Sequence, residues 1–156
     1  MRATRRKLLG LAAALPLARA APALAQGRSD VELLRELLAL EQDASLVYGR
    51  LHGGPALPSR LFREQAREQA RGLETALRNR GGRPPRPRAR AGLATPGQAL
   101  RLESRALTAY QRAIGELSDA RLLPALSGIM ANHGQRQVVL RRALGRDPLP
   151  TAFPTR

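Results

Sequence analysis

Two glutamate–tyrosine pairs stand out in a sequence otherwise short of reactive side chains. Glu41 is followed seven residues later by Tyr48, and Glu103 seven residues later by Tyr110; these are the chain's two tyrosines. Seven residues are close to two helical turns, so on a helix each carboxyl shares a face with its phenol. The flanking residues make that face apolar. One segment aligns Leu34, Leu37, Glu41, Ala44, Tyr48 and Leu51; the other aligns Leu100, Glu103, Leu107, Tyr110, Ile114 and Leu117. An acid on an apolar seam points into a bundle interior, where it needs a hydrogen-bond partner, a counter-charge or a metal ion. His133 lies on a third seam with Leu126, Met130, Gln137, Leu140 and Leu144, and Gln69 on a fourth with Phe62, Ala66, Leu73 and Ala76. Two chemistries fit these positions. One is a polar core layer in which Glu41 and Glu103 bond to Tyr48, Tyr110, Gln69, Gln137 or Arg136, with no cofactor. The other is a reduced metal site in which Glu41, Glu103 and His133 hold a single divalent ion with water.

Much else is excluded. The absence of cysteine rules out disulfides, thiolate zinc sites, a cysteine nucleophile and iron–sulfur clusters. Gly81-Gly82 has no following Lys-Ser/Thr and so is no phosphate loop. The two histidines suggest no Ser/His/Asp arrangement; His52, before Gly53, reads as solvated. No catalytic group is assigned. Glu64 and Glu68 alternate with Arg63, Arg67 and Arg71 and read as a charged outer face.

The elements that must position these residues are helices. Val and Ile together number six, too few for a sheet, whereas Ala, Leu, Arg and Glu abound. Capping boxes at Ser29-Asp30-Val31-Glu32 and Thr95-Pro96-Gly97-Gln98 mark two helix starts. The pattern predicts helices over 30–51, 59–80, 96–117 and 119–144. Ser118-Asp119 caps the last, and Pro124 either kinks it or marks its true start. Short links make 30–51/59–80 and 96–117/119–144 two antiparallel hairpins. The link 81–94 spans up to roughly 46 Å when extended. A 22-residue helix is roughly 33 Å long, so this link reaches the full length of the bundle. Residues 38–50 and 100–112 share six of thirteen identities, and Leu73, Ala76 and Leu77 repeat as Leu140, Ala143 and Leu144. The bundle reads as a duplicated hairpin.

Here the chain resembles the ferritin-like superfamily, and is most similar to small exported bacterial ferritin-like domains of unknown function, over about Ser29 to Gly145. The resemblance implies a four-helix bundle with a long crossover between its second and third helices. Its di-iron members use one Glu from each of two helices and Glu-x-x-His from each of the others. Glu41 and Glu103 match the single glutamates. The aligned positions elsewhere read Ala66-x-x-Gln69 and His133-x-x-Arg136. His133 thus takes a former Glu position, and Arg136 brings a cation where a metal stood. The motif departs from di-iron chemistry while the topology fits.

Residues 1–25 read as a cleavable export signal. Arg2, Arg5, Arg6 and Lys7 precede the apolar run Leu8–Leu17, too short to span a bilayer, and Ala23-Leu24-Ala25 suits cleavage before Gln26. Thr4-Arg5-Arg6-Lys7-Leu8-Leu9 resembles a twin-arginine signal, with ordinary secretion the alternative. A periplasmic or extracellular bacterial protein is expected, with its bundle over 26–145 and a Pro-rich tail over 146–156. The whole chain carries 27 basic and 12 acidic residues, net +15, and its one lysine is Lys7. Codon usage in a GC-rich genome accounts for the arginine bias. The functional alternative is attraction to anionic lipid or polymer, through a basic strap of Arg78, Arg80, Arg83, Arg86, Arg88 and Arg90. Few aromatics, interspersed acids and export argue against nucleic acid. A protein partner or self-association is the expected mode of action.

Overall fold

The computed structural model describes residues 28–52, 57–87 and 93–149. The expected signal over 1–25, Arg88, Arg90 and the tail beyond 149 lie outside the described residues. Four α-helices are present among those described: α1 Asp30–Gly49, α2 Ser59–Arg78, α3 Pro96–Glu116 and α4 Leu123–Ala143. None is long and apolar enough to cross a membrane.

Both expected capping boxes form. Ser29 Oγ accepts from the Glu32 amide and the Glu32 carboxylate accepts from the Ser29 amide; Thr95 and Gln98 repeat the exchange. Helix α1 stops two residues earlier than its pattern predicts. Leu51 is drawn away to pair with Ala94: Ala94 N donates to Arg50 O and His52 N to Ala94 O. Helix α2 also ends two residues early. Gly81 adopts φ +74°, and Gly82 N turns back to Leu77 O. A Cβ on Gly82 would lie 2.2 Å from the Leu77 side chain, so only glycine fits this close return. Pro124 marks a start, not a kink. Asp119 caps a 3-10 turn over Ala120–Leu122, and α4 begins at Leu123 with proline in its first turn.

Contacts between helix ends fix the topology. The carboxylate of Asp30, opening α1, accepts from the amides of Ser118 and Asp119, just past α3. Arg80, just past α2, pairs with Asp119, just before α4. At the other end Leu51 and Ala94 join the close of α1 to the start of α3. Hence α1 and α4 run one way and α2 and α3 the other, and the link from α2 to α3 connects opposite ends of the bundle. Helix α1 packs on α2, α3 on α4, and α1 meets α3 through the middle. Helices α2 and α4 stand apart, with a groove of about 710 Å³ between them.

The core falls into two apolar halves. One gathers Leu33, Leu34, Leu37, Leu73, Leu77 and Tyr110 with their neighbours; the other gathers Tyr48, Leu57, Phe62, Leu100, Leu102 and Leu140. Between them lie four buried charged or titratable side chains: Glu41, Glu103, His133 and Arg136.

Candidate functional site

The seam spacing places Glu41 on α1 and Glu103 on α3 at the same level, each fully buried. The two helices run antiparallel, so each tyrosine reaches the glutamate of the opposite helix. Tyr110 O–H donates to Glu41 Oε1 at 2.9 Å, and Tyr48 O–H donates to Glu103 Oε1. This exchange is the duplicated sequence expressed as a pseudo-two-fold axis. Each half of the apolar core supplies one phenol to the layer.

His133 of α4 sits between the two acids. Its Nδ1 is 2.6 Å from Glu103 Oε2 and its Nε2 is 2.8 Å from Glu41 Oε1. Facing two ionised carboxylates, which only accept, both ring nitrogens would donate, so this geometry favours an imidazolium. Burial opposes that charge most strongly, but the hydrogen bonds and charges of Glu103 and Glu41 together outweigh it and push His133 up to about 9. Burial, then the charge and hydrogen bond of the facing glutamate, raises both phenols: Tyr48 through Glu103, Tyr110 through Glu41. Neither is a nucleophile at ordinary pH.

Arg136, one turn beyond His133, closes the layer. Its Nη2 donates to Gln69 Oε1 at 2.8 Å and its Nε to Gln65 Oε1 at 3.3 Å. Its Nη1 lies 3.9 Å from Glu103 Oε1. The guanidinium is 5.9 Å from the Tyr48 ring centre and 6.0 Å from that of Phe62, within cation–π range. Tyr48 and Phe62 pack edge to face, and Tyr110 lies 5.1 Å from the His133 ring. With both acids ionised the layer holds two negative and two positive charges and is neutral.

Glu41, Glu103, His133, Tyr48, Tyr110, Arg136 and Gln69 therefore come together as the sequence suggests. Gln137 does not: it turns outward and its Nε2 donates to Ser104 Oγ near the surface. One residue before it, Arg136 takes the buried position, because Glu103 and two aromatic faces receive its charge. Gln65 was missed; its spacing of four from Gln69 on α2 was the available signal. Glu64 and Glu68 are exposed, as the charged face predicts, and His52 is exposed as well.

The basic strap is reduced. Arg78 pairs with Glu74, and Arg80 with Asp119 and the carbonyl of Ala76, so neither is free for a ligand. Arg83 and Arg86 are exposed, and Arg86 faces Glu32, Glu36 and Asp43 across a mixed-charge groove.

A di-iron centre does not fit these residues. Both imidazole nitrogens and three of the four carboxylate oxygens are engaged within the layer. Of the four carboxylate oxygens only Glu41 Oε2 is buried without a hydrogen-bond partner, as is Arg136 Nη1 in the same layer, and one oxygen is no coordination sphere. No group of three or more His, Cys, Asp or Glu among the described residues is arranged to hold a metal ion.

No family model matches the sequence, and no curated protein matches it. Among solved structures the fold is similar to that of a conserved hypothetical protein, rv2844, from Mycobacterium tuberculosis. The two share 22% identity with a TM-score of 0.65, over 80% of this chain and 96% of the other. At that identity the likeness speaks for the helical fold alone.

Proposed function

We propose that the protein is an exported ferritin-like bundle whose metal layer has been replaced by its own cations, and that it acts as a non-catalytic scaffold or binding protein. One observation carries this reading: His133 bridges Glu41 and Glu103 with both ring nitrogens, where a metal-binding bundle would set an ion. Arg136 supplies the second positive charge. The antiparallel hairpins and the link between opposite bundle ends support the ferritin-like assignment. The basic, apolar and small-x-small pattern of residues 1–25 supports export.

The competing reading is a single divalent ion held by Glu41, Glu103 and His133. Metal must then displace the proton from His133, since only neutral imidazole is a ligand. A proton held up to about 9 makes that exchange unfavourable at neutral pH. Elemental analysis of protein recovered from its native compartment decides between them. The scaffold reading expects essentially no metal and a melting temperature indifferent to chelator. About one ion per chain, with chelator lowering the melting temperature by mass action, would overturn it.

A further inference from the structure

The bundle's two ends treat their arginines differently. At the end where α1 begins and α3 finishes, acids pair with five arginines, while Arg35, which donates to the Arg83 carbonyl, and Arg83 stay exposed. Arg28 pairs with Glu36 and Glu116, Arg112 with Glu36, Arg78 with Glu74, and Arg80 and Arg121 with Asp119. At the opposite end, Arg101, Arg142 and Arg146 are exposed and have no acidic partner among the described residues. Arg60 meets only Glu64, on the surface. Asp147, the other acid there, accepts from the Leu149 amide.

The same end carries every large apolar side chain exposed among the described residues. Leu61, in the first turn of α2, is 50% exposed; Leu93, three residues before α3, 69%; Leu149, six residues past α4, 73%. Three separate segments thus place leucines in solvent at one end and none at the other. Single exposed leucines are ordinary; here three segments bring theirs to the end that also carries Arg101, Arg142 and Arg146. The first turn of α2 also lacks a side-chain cap, which leaves backbone N–H donors there.

Leucines among unpaired arginines match an anionic bilayer surface. The apolar side chains enter the acyl boundary while guanidinium groups bind headgroup phosphates. The geometry points to this end of the bundle as a docking surface for anionic phospholipid. The inference is independent of whether the buried layer holds metal.

The chain has no cysteine, so one environment-sensitive fluorophore can be attached at each of Leu61→Cys, Leu93→Cys and Leu149→Cys in the full chain. Ser118→Cys, exposed at the opposite end, reports on attachment by any other route, including the apolar run Leu8–Leu17. Vesicles of phosphatidylglycerol and phosphatidylcholine should blue-shift the first three labels and leave the fourth unchanged. Raising salt to about 0.5 M should reverse the shift, as screening shortens to a few ångströms. Arg142→Gln with Arg146→Gln should weaken vesicle binding about tenfold or more. Equal shifts at all four sites, or equal shifts with pure phosphatidylcholine, overturn the inference. So do shifts that need no vesicles and grow with protein concentration, which would make this end an interface with a second copy.

Discussion

The buried layer and the ion-pair cluster at the start of α1 contain the same chemical groups in different surroundings. In the layer, Glu41, Glu103, His133 and Arg136 are at most 1% exposed. In the cluster, Arg28, Glu36, Arg112 and Glu116 keep a third or more of their side-chain surface in water. Water can replace any partner lost from the cluster, whereas nothing replaces a partner lost from the layer. The cluster is therefore a set of weak, separable pairs, and the layer behaves as a unit whose charges must balance.

Removing one member of the layer is the strongest way to test that contrast. His133→Ala leaves two buried carboxylates facing each other without their bridge. Urea unfolding should show a loss of about 3–5 kcal/mol, the range for one missing partner of a buried pair. A loss below about 1 kcal/mol would mean that water enters the layer and that the contrast is false.

Alkaline pH should have a smaller effect. His133 has a raised value in the folded state, so its contribution is complete below its unfolded value near 6.5 and is lost as pH rises through about 9. That shift corresponds to roughly 3 kcal/mol at most. Stability of the wild type relative to His133→Gln should decline across this window; parallel pH curves would contradict the imidazolium. Asp119, which pairs with Arg80 and Arg121 near the cluster, has the opposite limb. Hydrogen bonds from Arg121, against some burial and with help from Arg80, hold Asp119 well below the usual carboxylate range. Its contribution is present above about 3.8 and falls away as pH drops.

Replacing Glu41 and Glu103 together with Gln should keep the fold and move stability by roughly 3 kcal/mol or less in either direction. Removing charge from both sides of a buried network is often tolerated where removing one side is not. The smallest effect belongs to the cluster. Arg112→Gln should cost about 0.5 kcal/mol or less in thermal unfolding, and the difference should shrink further in high salt.

The parts of this architecture legible in the sequence are those with a local signature. Capping boxes at Ser29 and Thr95 gave two helix starts, and the seven-residue Glu–Tyr spacing gave the buried acids. What escaped depends on distant partners. The early end of α1 reflects Leu51 pairing with Ala94, over forty residues away in sequence. The apolar period put Gln137 beside Arg136 as a candidate for the layer, yet only Arg136 is buried there, because Glu103, Gln69 and two aromatic rings receive it. A hydrophobicity pattern scores arginine as surface and has no means of seeing a partner on another helix. The crossing of Tyr48 to Glu103 and Tyr110 to Glu41 likewise follows from the antiparallel setting of α1 and α3, not from either segment by itself.

The central claim is that a protonated His133 occupies the space between Glu41 and Glu103. Nitrogen-15 NMR of the imidazole of His133 tests it directly. The account predicts two protonated ring nitrogens at pH 7, a titration near pH 9, and spectra unchanged by added zinc or ferrous ion. A bare ring nitrogen at pH 7, or a resonance that shifts or disappears as divalent metal is added, would contradict it.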